Sequence, residues 1–307
     1  MRILILGGTS FVGRAIVDAL SAESVAIFSR GVTGTSLFPS VPRLIGDRDS
    51  GDYASLRNGA WDAVVDVTAY FPWQVGQATD AVGDRAGRYL LVSSHAVFDG
   101  GSTRRREPIR DARPPLTDET YGPSKVACED EVLSRYGDRA TIVRPGKVAG
   151  PYDNQEGLTY WVRKAARGGR IAVPGSLAQP VQIVDSRALG RLVARLLADD
   201  RGGGYTAVGP SMSLSGLITT CAAAAGASAE LVPVPYGSAP KPFPLVKAEA
   251  AWPTQRRDPG PALAAGMPDI PLARTAADVL AWDRARGEPP LTRGFTDAEE
   301  AHLAGGR

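Results

Sequence analysis

The sequence predicts an α/β protein: a doubly wound parallel sheet with helices on both faces, followed by a smaller C-terminal lobe. Three observations carry this reading. Short apolar runs rich in branched residues alternate with stretches whose apolar residues fall at helical spacing. A glycine-rich turn joins the first run to the first helical stretch. Past residue 150 the alternation gives way to helical segments separated by Gly/Pro-rich chain.

Taken in order, RILIL (2–6), VAIFS (25–29), AVVDV (63–67), YLLVS (89–93) and TIVR (141–144) read as strands. Their unbroken apolar character fits strands covered on both faces. FVGRAIVDAL, PWQVGQATDAV and KVACEDEVLSRY lie between them with helical periodicity. Such βαβ repetition builds a parallel sheet. The expected first domain is 1–150, with a segment at about 181–208 returning to it. Residues 151–180 and 209–307 are then a substrate-binding lobe. Helices are expected near 157–167, 186–198 and 213–225, and a long irregular proline-rich connection over 233–262. TAADVLAWDRAR and a short polar helix near 296–304 close the chain. The lobe is expected over the carboxyl edge of the sheet, where open α/β sheets bind ligands.

The 307 residues carry 35 basic against 33 acidic side chains, a net charge of +2, and 43% are hydrophobic. A chain of that length buries a real core, and that balance excludes a disordered chain. The small charge excess gives no reason to expect nucleic acid as a partner. Cys128 and Cys221 stand far apart, so a disulfide framework is not expected and a reducing compartment fits. With only His95 and His302, a multi-histidine metal site is ruled out, and no metal is expected. No apolar run reaches the ~18–20 residues of a membrane span. The expectation is a cytoplasmic protein acting on a small molecule, as a monomer or homodimer.

GGTSFVG, residues 7–13, follows the first strand and opens the first helix. Gly7 permits a tight turn there, and Gly13 lets the helix approach the strand. The free amides at the helix start can receive a pyrophosphate, so a dinucleotide is the expected ligand. An NAD site usually ends its second strand with an acid that holds the ribose 2′-hydroxyl. Here the strand ends Phe28-Ser29-Arg30-Gly31. Arg30, helped by Ser29, suits a 2′-phosphate instead, which favours NADP(H) over NAD(H). Asp47 reads equally well as an acceptor for the adenine amino group or as a plain turn residue.

Tyr121 and Lys125, in TYGPSK, share one helical face at i, i+4. A free phenol titrates near 10, too high for exchange at neutral pH, and a nearby ammonium lowers it. Ser94, directly after the run YLLVS, can hold the reacting oxygen while Tyr121 moves the proton. Of Ser93 and Ser94, one is expected only to bond at the strand terminus. Tyr70, His95 and Lys147 are candidates for substrate contact, with Phe71 and Trp73 near Tyr70 and one of these three aromatics expected in the core. Arg104, Arg105, Arg106, Arg110 and Arg113 are expected in a solvated loop, interleaved with Glu107 and Asp111.

GGTSFVG, the GDRD turn, WDAVVDVTAY, LVSSHAVF, YGPSK and RPGKVAGPY together resemble the extended short-chain dehydrogenase/reductase superfamily. The closest likeness is to its NAD-dependent epimerase/dehydratase-like reductases. The resemblance runs from Met1 to about Pro210 and returns weakly at ALAAGM and VLAWDRARG. It implies a Rossmann-type fold and a catalytic set of Ser94, Tyr121 and Lys125, with Lys125 also reaching the nicotinamide ribose. It places Gly7, Thr9, Phe11, Val12, Asp47, Ala69 and Pro145 along the cofactor cleft, and Ser10 where the family has its middle glycine. Nucleotide-sugar dehydratases follow the catalytic hydroxyl with an Asp-Glu pair; His95 and Ala96 stand there, which argues against dehydration. Lys147 and Gln179 replace an asparagine and an arginine of sugar-nucleotide members, which argues moderately against that substrate class.

The expected function is an NADP(H)-dependent oxidoreductase that interconverts a carbonyl and an alcohol on a small molecule, with a composition that fits a specialised metabolic role. An epimerase that oxidises and re-reduces its substrate on retained NAD(P) uses the same residues. A non-catalytic nucleotide-sensing or RNA-binding protein on this fold is the third alternative, and the intact Ser-Tyr-Lys set argues against it.

Overall fold

The computed structural model describes residues 1–111, 113–240 and 242–305. Two compact units emerge. The first comprises Met1–Gly146, Ser186–Val208 and Asp258–Pro268; the second comprises Lys147–Asp185, Gly209–Arg257 and Asp269–Arg307.

The first unit opens with strand β1 (Arg2–Leu6), helix α1 (Phe11–Ala19), β2 (Ser24–Ser29), β3 (Arg43–Ile45) and β4 (Trp61–Asp66). It continues with α2 (Pro72–Val82), β5 (Ala86–Val92), α3 (Asp118–Tyr136) and β6 (Ala140–Pro145). With Gly203–Ala207, the six strands make a seven-stranded, all-parallel sheet. Its order is Gly203–Ala207, β6, β5, β4, β1, β2, β3. The order reverses between β1 and β4, and the carboxyl ends there leave the crevice in which such sheets bind ligands. The centres of the strands are mostly apolar because helices cover both faces.

On one face α1 packs on the helix Ser186–Ala198. Gly190 makes that approach possible: a Cβ there would stand 2.4 Å from the Ala15 carbonyl oxygen. On the other face α2 and α3 pack together. Val75, Val82, Cys128 and Val132 close a core against Leu4, Leu6, Val64, Leu91 and Ile142.

The second unit holds a three-stranded sheet of Lys147–Ala149, Pro180–Asp185 and Ser211–Ser213, and a parallel pair of Gly169–Pro174 with Ala229–Val234. Its helices are Gly157–Arg167, Leu214–Ala224, Leu272–Ala285 and Asp297–Ala304. Tyr160, Trp161, Phe243 and Phe295 meet edge-on or tilted at its centre, with ring centroids 4.8–5.9 Å apart along the contacts.

The segment returning to the first unit starts at Ser186, not near 181, because Pro180–Asp185 pairs with Lys147–Ala149. The proline-rich stretch is less irregular than its composition implies. It begins in the strand Ala229–Val234, buries Phe243 and Val246, and gives the Pro244 carbonyl to Trp161 Nε1 at 2.9 Å. Asp258–Pro268 also returns to the first unit.

Candidate active site

The turn after β1 is shaped by what its glycines lack. Gly7 has φ +94°, and a Cβ there would strike Thr68 Cγ2 at 2.2 Å. A Cβ on Gly13 would lie 1.9 Å from the Gly7 carbonyl oxygen. The helix α1 therefore starts directly against the end of β1. Its N-cap Ser10 makes no side-chain cap bond, and its first turn holds no acid. Amides left without a side-chain cap at a helix start are where an anion is stabilised.

Beside that turn lies a cleft of about 290 Å³. Gly7, Thr9, Ser10, Ser29, Arg30, Asp47 and Tyr70 line it, and so do Phe28, Thr33, Arg48, Thr68 and Gln74. Phe11, Val12, Gly13, Ala69 and Pro145 are not among the lining residues; Gly13 acts by letting the helix close on the strand. Phe11 opens α1 with φ +27°, a backbone cost taken at the turn itself. No acid follows β2 before the cleft-lining Arg30 and Thr33. Asp47 closes its own turn by accepting the Asp49 amide at 3.0 Å and pairing with Asp52.

Tyr121 is set by the start of α3. The Thr117 hydroxyl caps the amides of Glu119 and Thr120, and Asp118 and Glu119 suit the positive end of the helix. Gly122 then lets the helix touch the turn His95–Val97: a Cβ there would be 2.3 Å from the Ala96 carbonyl oxygen. This approach brings the Tyr121 hydroxyl to face the Ser94 hydroxyl. Burial raises the phenol above its ordinary value of 10.0, the Ser94 hydroxyl opposes this, and Cys128 adds to the rise.

Lys125 differs from the expected arrangement. It is buried, and its Nζ donates to the carbonyls of Ala69 and Val92, both at 2.8 Å. The ammonium is thus held by the end of β5 and by Ala69, three residues past β4, while burial keeps Tyr121 a phenol through neutral pH. An ammonium has three donors, so one remains for a ligand. Tyr70, partly exposed, connects the two regions: its ring lies 6.4 Å from that of Tyr121 and 5.8 Å from Lys125 Nζ.

The two serines divide their work. Ser93 Oγ donates to Glu129 Oε1 at 2.6 Å, while Ser94 faces Tyr121. Glu129, without solvent exposure, also takes the Arg144 guanidinium at 2.8 and 2.9 Å. His95 sits in the short turn after Ser94, half-buried. Lys147 belongs to the second unit, where Nζ donates to Gln155 Oε1 at 2.6 Å. Burial lowers its pKa, Asp153 opposes this, and Arg293 and Lys247 add to the lowering.

The arginine loop pairs differently from its interleaved sequence. Arg104 meets Asp99, Arg105 meets Asp130 at 2.7 Å, and Arg113 lies 4.2 Å over the Trp73 ring. None of Tyr70, Phe71 and Trp73 is fully buried; Phe71 and Trp73 stack on each other instead.

Sequence reasoning missed Arg48, Asp66, Thr68, Gln74, Tyr89 and Glu129. One signal was available: an aspartate inside the apolar run AVVDV requires a buried cationic partner.

The sheet, the glycine turn and the Tyr-Lys helix define a short-chain dehydrogenase/reductase-type enzyme that depends on a nicotinamide dinucleotide. Residues 56–208 match the family described as the NAD dependent epimerase/dehydratase family. That span starts after the glycine turn and includes Ser94, Tyr121 and Lys125. That match covers 153 of the 307 residues, and its family description agrees with the superfamily that the motifs resemble. No curated protein matches it in sequence. Among solved structures, it is similar to UDP-glucuronic acid 4-epimerase from Bacillus cereus in complex with NAD. That similarity has a TM-score of 0.69 at 15% identity, over 93% of this chain and 99% of the other. It is similar to RMD from Pseudomonas aeruginosa complexed with NADPH, with a TM-score of 0.66 at 19% identity, over 93% and 99%. The Bordetella bronchiseptica enzyme WbmH in complex with NAD+ gives 0.67 at 18%, again over 93% and 99%. At these identities the likeness is one of fold. Among the described residues no helix is long and apolar enough to cross a membrane, and no cluster of His, Cys, Asp or Glu suits a metal.

Proposed function

We propose that the chain is an NADP(H)-dependent oxidoreductase that interconverts a carbonyl and an alcohol on a small molecule. The observation that carries this is Tyr121 facing the Ser94 hydroxyl with the buried Lys125 one turn along the same helix, near a cleft whose β2 end offers Arg30 and no acid. The residues fit a dinucleotide. Gly7 and Gly13 exclude side chains from the turn, the α1 amides lack a side-chain cap, and the cleft of about 290 Å³ lies beside them.

When bound, the nicotinamide group supplies or accepts a hydride at the substrate carbon. Ser94 holds the substrate oxygen by its hydroxyl. Tyr121 Oη gives that oxygen its proton in reduction and takes it back in oxidation. A phenol raised by burial holds its proton at neutral pH, so the resting site is set for reduction. Lys125, fixed by two carbonyls, offers its third N–H to a ligand hydroxyl. Tyr70 and His95, both N-terminal to Tyr121 in sequence, contact the substrate. His95 and Ala96 provide no acid and base for dehydration.

Calorimetric titration with NADPH and NADH tests the reading. The native protein is expected to favour NADPH at least tenfold, about 1.4 kcal/mol. In Arg30→Ala that preference is expected to collapse. An unchanged NADPH-to-NADH ratio in the variant overturns the assignment to NADP(H). The family match favours a second reading, an epimerase on retained cofactor. Its mark is dinucleotide that stays bound through purification and turnover that needs none added.

A further inference from the structure

Asp66 has no solvent exposure and stands at the end of β4, beside Val64 and Val65. Arg48 meets it in a fork, Nη1 to Oδ1 at 2.5 Å and Nη2 to Oδ2 at 2.9 Å. The Tyr89 hydroxyl donates to Oδ2 at 2.6 Å, and the Thr68 amide donates to Oδ1 at 3.1 Å. Desolvation raises the Asp66 pKa, but Arg48 and these bonds outweigh it and hold the carboxyl below its ordinary value.

The guanidinium does more than neutralise this charge. Nη1 also reaches Thr68 Oγ1 at 2.9 Å, and Nη2 reaches the Gln74 carbonyl at 3.1 Å. Thr68 is the residue whose methyl closes on Gly7. A second tie runs parallel: Gln74 Nε2 donates to Asp49 Oδ1 at 2.9 Å, and its Oε1 accepts the Tyr70 amide at 2.8 Å. The 46–52 turn, which carries Asp47, is thereby bound to the end of β4 and the start of α2. Arg48, Thr68 and Gln74 all line the cleft.

We infer that Arg48 is a positioning residue for the adenosine half of the dinucleotide. Locked by Asp66, it fixes the Asp47 turn at the distance from the Gly7 turn that this half requires. The inference rests on the dinucleotide reading above. Its region of the cleft is the one bounded by Arg30, Thr33 and Asp47, at the ends of β2 and β3. The pair is not needed simply to fill space. A buried ion pair replaced as a whole by apolar residues is often neutral for stability, whereas removing one partner is costly. Stability and positioning can therefore be separated.

The experiment compares native protein with Arg48→Met/Asp66→Leu and with Arg48→Lys. Lysine keeps a charge for Asp66 but has no fork to span Thr68 and Gln74. Each protein is titrated with NADPH, ADP and adenosine 2′,5′-bisphosphate. Reduced nicotinamide mononucleotide is read by competition, and thermal unfolding is followed alongside. In a variant that unfolds near the native temperature, the adenosine ligands are expected to bind at least tenfold more weakly, with the mononucleotide unchanged. Unchanged adenosine affinity, or an equal loss for both halves, overturns the inference. Should the double variant fail to fold, Arg48→Lys decides by the same two readouts; failure of both to fold makes the pair structural and also overturns it. Native protein that binds no dinucleotide overturns the cofactor reading itself, which the variants' behaviour cannot mimic.

Discussion

Gly13 lies so close to Gly7 that a methyl group on it would stand 1.9 Å from the Gly7 carbonyl oxygen. Two glycines six residues apart thus let a helix begin against the strand that precedes it. Gly13→Ala is expected to force that contact open, at a cost of about 1–3 kcal/mol typical of overpacking. Dinucleotide affinity should fall with it, because the amides at the start of α1 shift. Gly237→Ala is the matched control: it meets nothing within 4 Å and has no positive φ. Urea unfolding and NADPH titration of both variants check the difference.

Ser93 and Ser94 are expected to separate stability from titration. Ser94→Ala removes the hydroxyl that lowers the Tyr121 phenol, so Tyr121 should titrate higher still. Ser93→Ala removes a buried bond to Glu129, which keeps Arg144; the expected cost is about 1 kcal/mol. The Tyr121 titration should stay where it is. Tyrosinate absorbance, read as the difference from the same protein carrying Tyr121→Phe, distinguishes the two.

Stability is expected to fall on the alkaline side. Burial raises the phenols of Tyr89, Tyr121 and Tyr160 above 10.0, and pushes the thiols of Cys128 and Cys221 from 9.0 up to about 12. The folded chain keeps these protons at a pH where the unfolded chain has lost them. The stability they confer is complete below the unfolded values of 9.0 and 10.0 and is lost progressively as pH climbs from there through the raised folded values, about 12 for the thiols. Asp66 acts in the opposite direction. Its lowered pKa adds stability above 3.8 that disappears as pH falls through the lower folded value. Urea midpoints across the pH range should show a plateau that declines past about pH 9.

In the second unit, Asp283 is 1% exposed and holds Arg163 through two bonds of 2.8 Å, with Arg286 at 2.8 Å. Asp283→Ala leaves a guanidinium without its carboxylate, an expected loss of about 3 kcal/mol. The exposed Arg170–Glu230 pair, 3.6 Å apart, gives the contrast. Glu230→Ala should change stability by no more than about 0.5 kcal/mol. Chemical denaturation of the two variants tests both figures.

Five of the seven strands, the main helices and the glycine turn of the first unit were legible because each depends on neighbours in the chain. An apolar run such as RILIL and a Gly-x-x-x-x-x-Gly turn impose their geometry within a few residues. Tyr121 and Lys125 were legible for the same reason, since one helix sets their shared face. Less was legible where partners come from different strands. Nothing local says that Ser93 turns to Glu129 while Ser94 turns to Tyr121, or that Lys125 is held by Ala69 and Val92. Nor does it pair Arg48 with Asp66. Such partners are set by the register of β4 and β5, the closeness of α3 at Gly122, and the closing of the 46–52 turn. The sequence by itself determined which groups are available for chemistry; the tertiary structure decided which of them meet, because a buried charge or hydroxyl bonds only to what packing brings within about 3 Å.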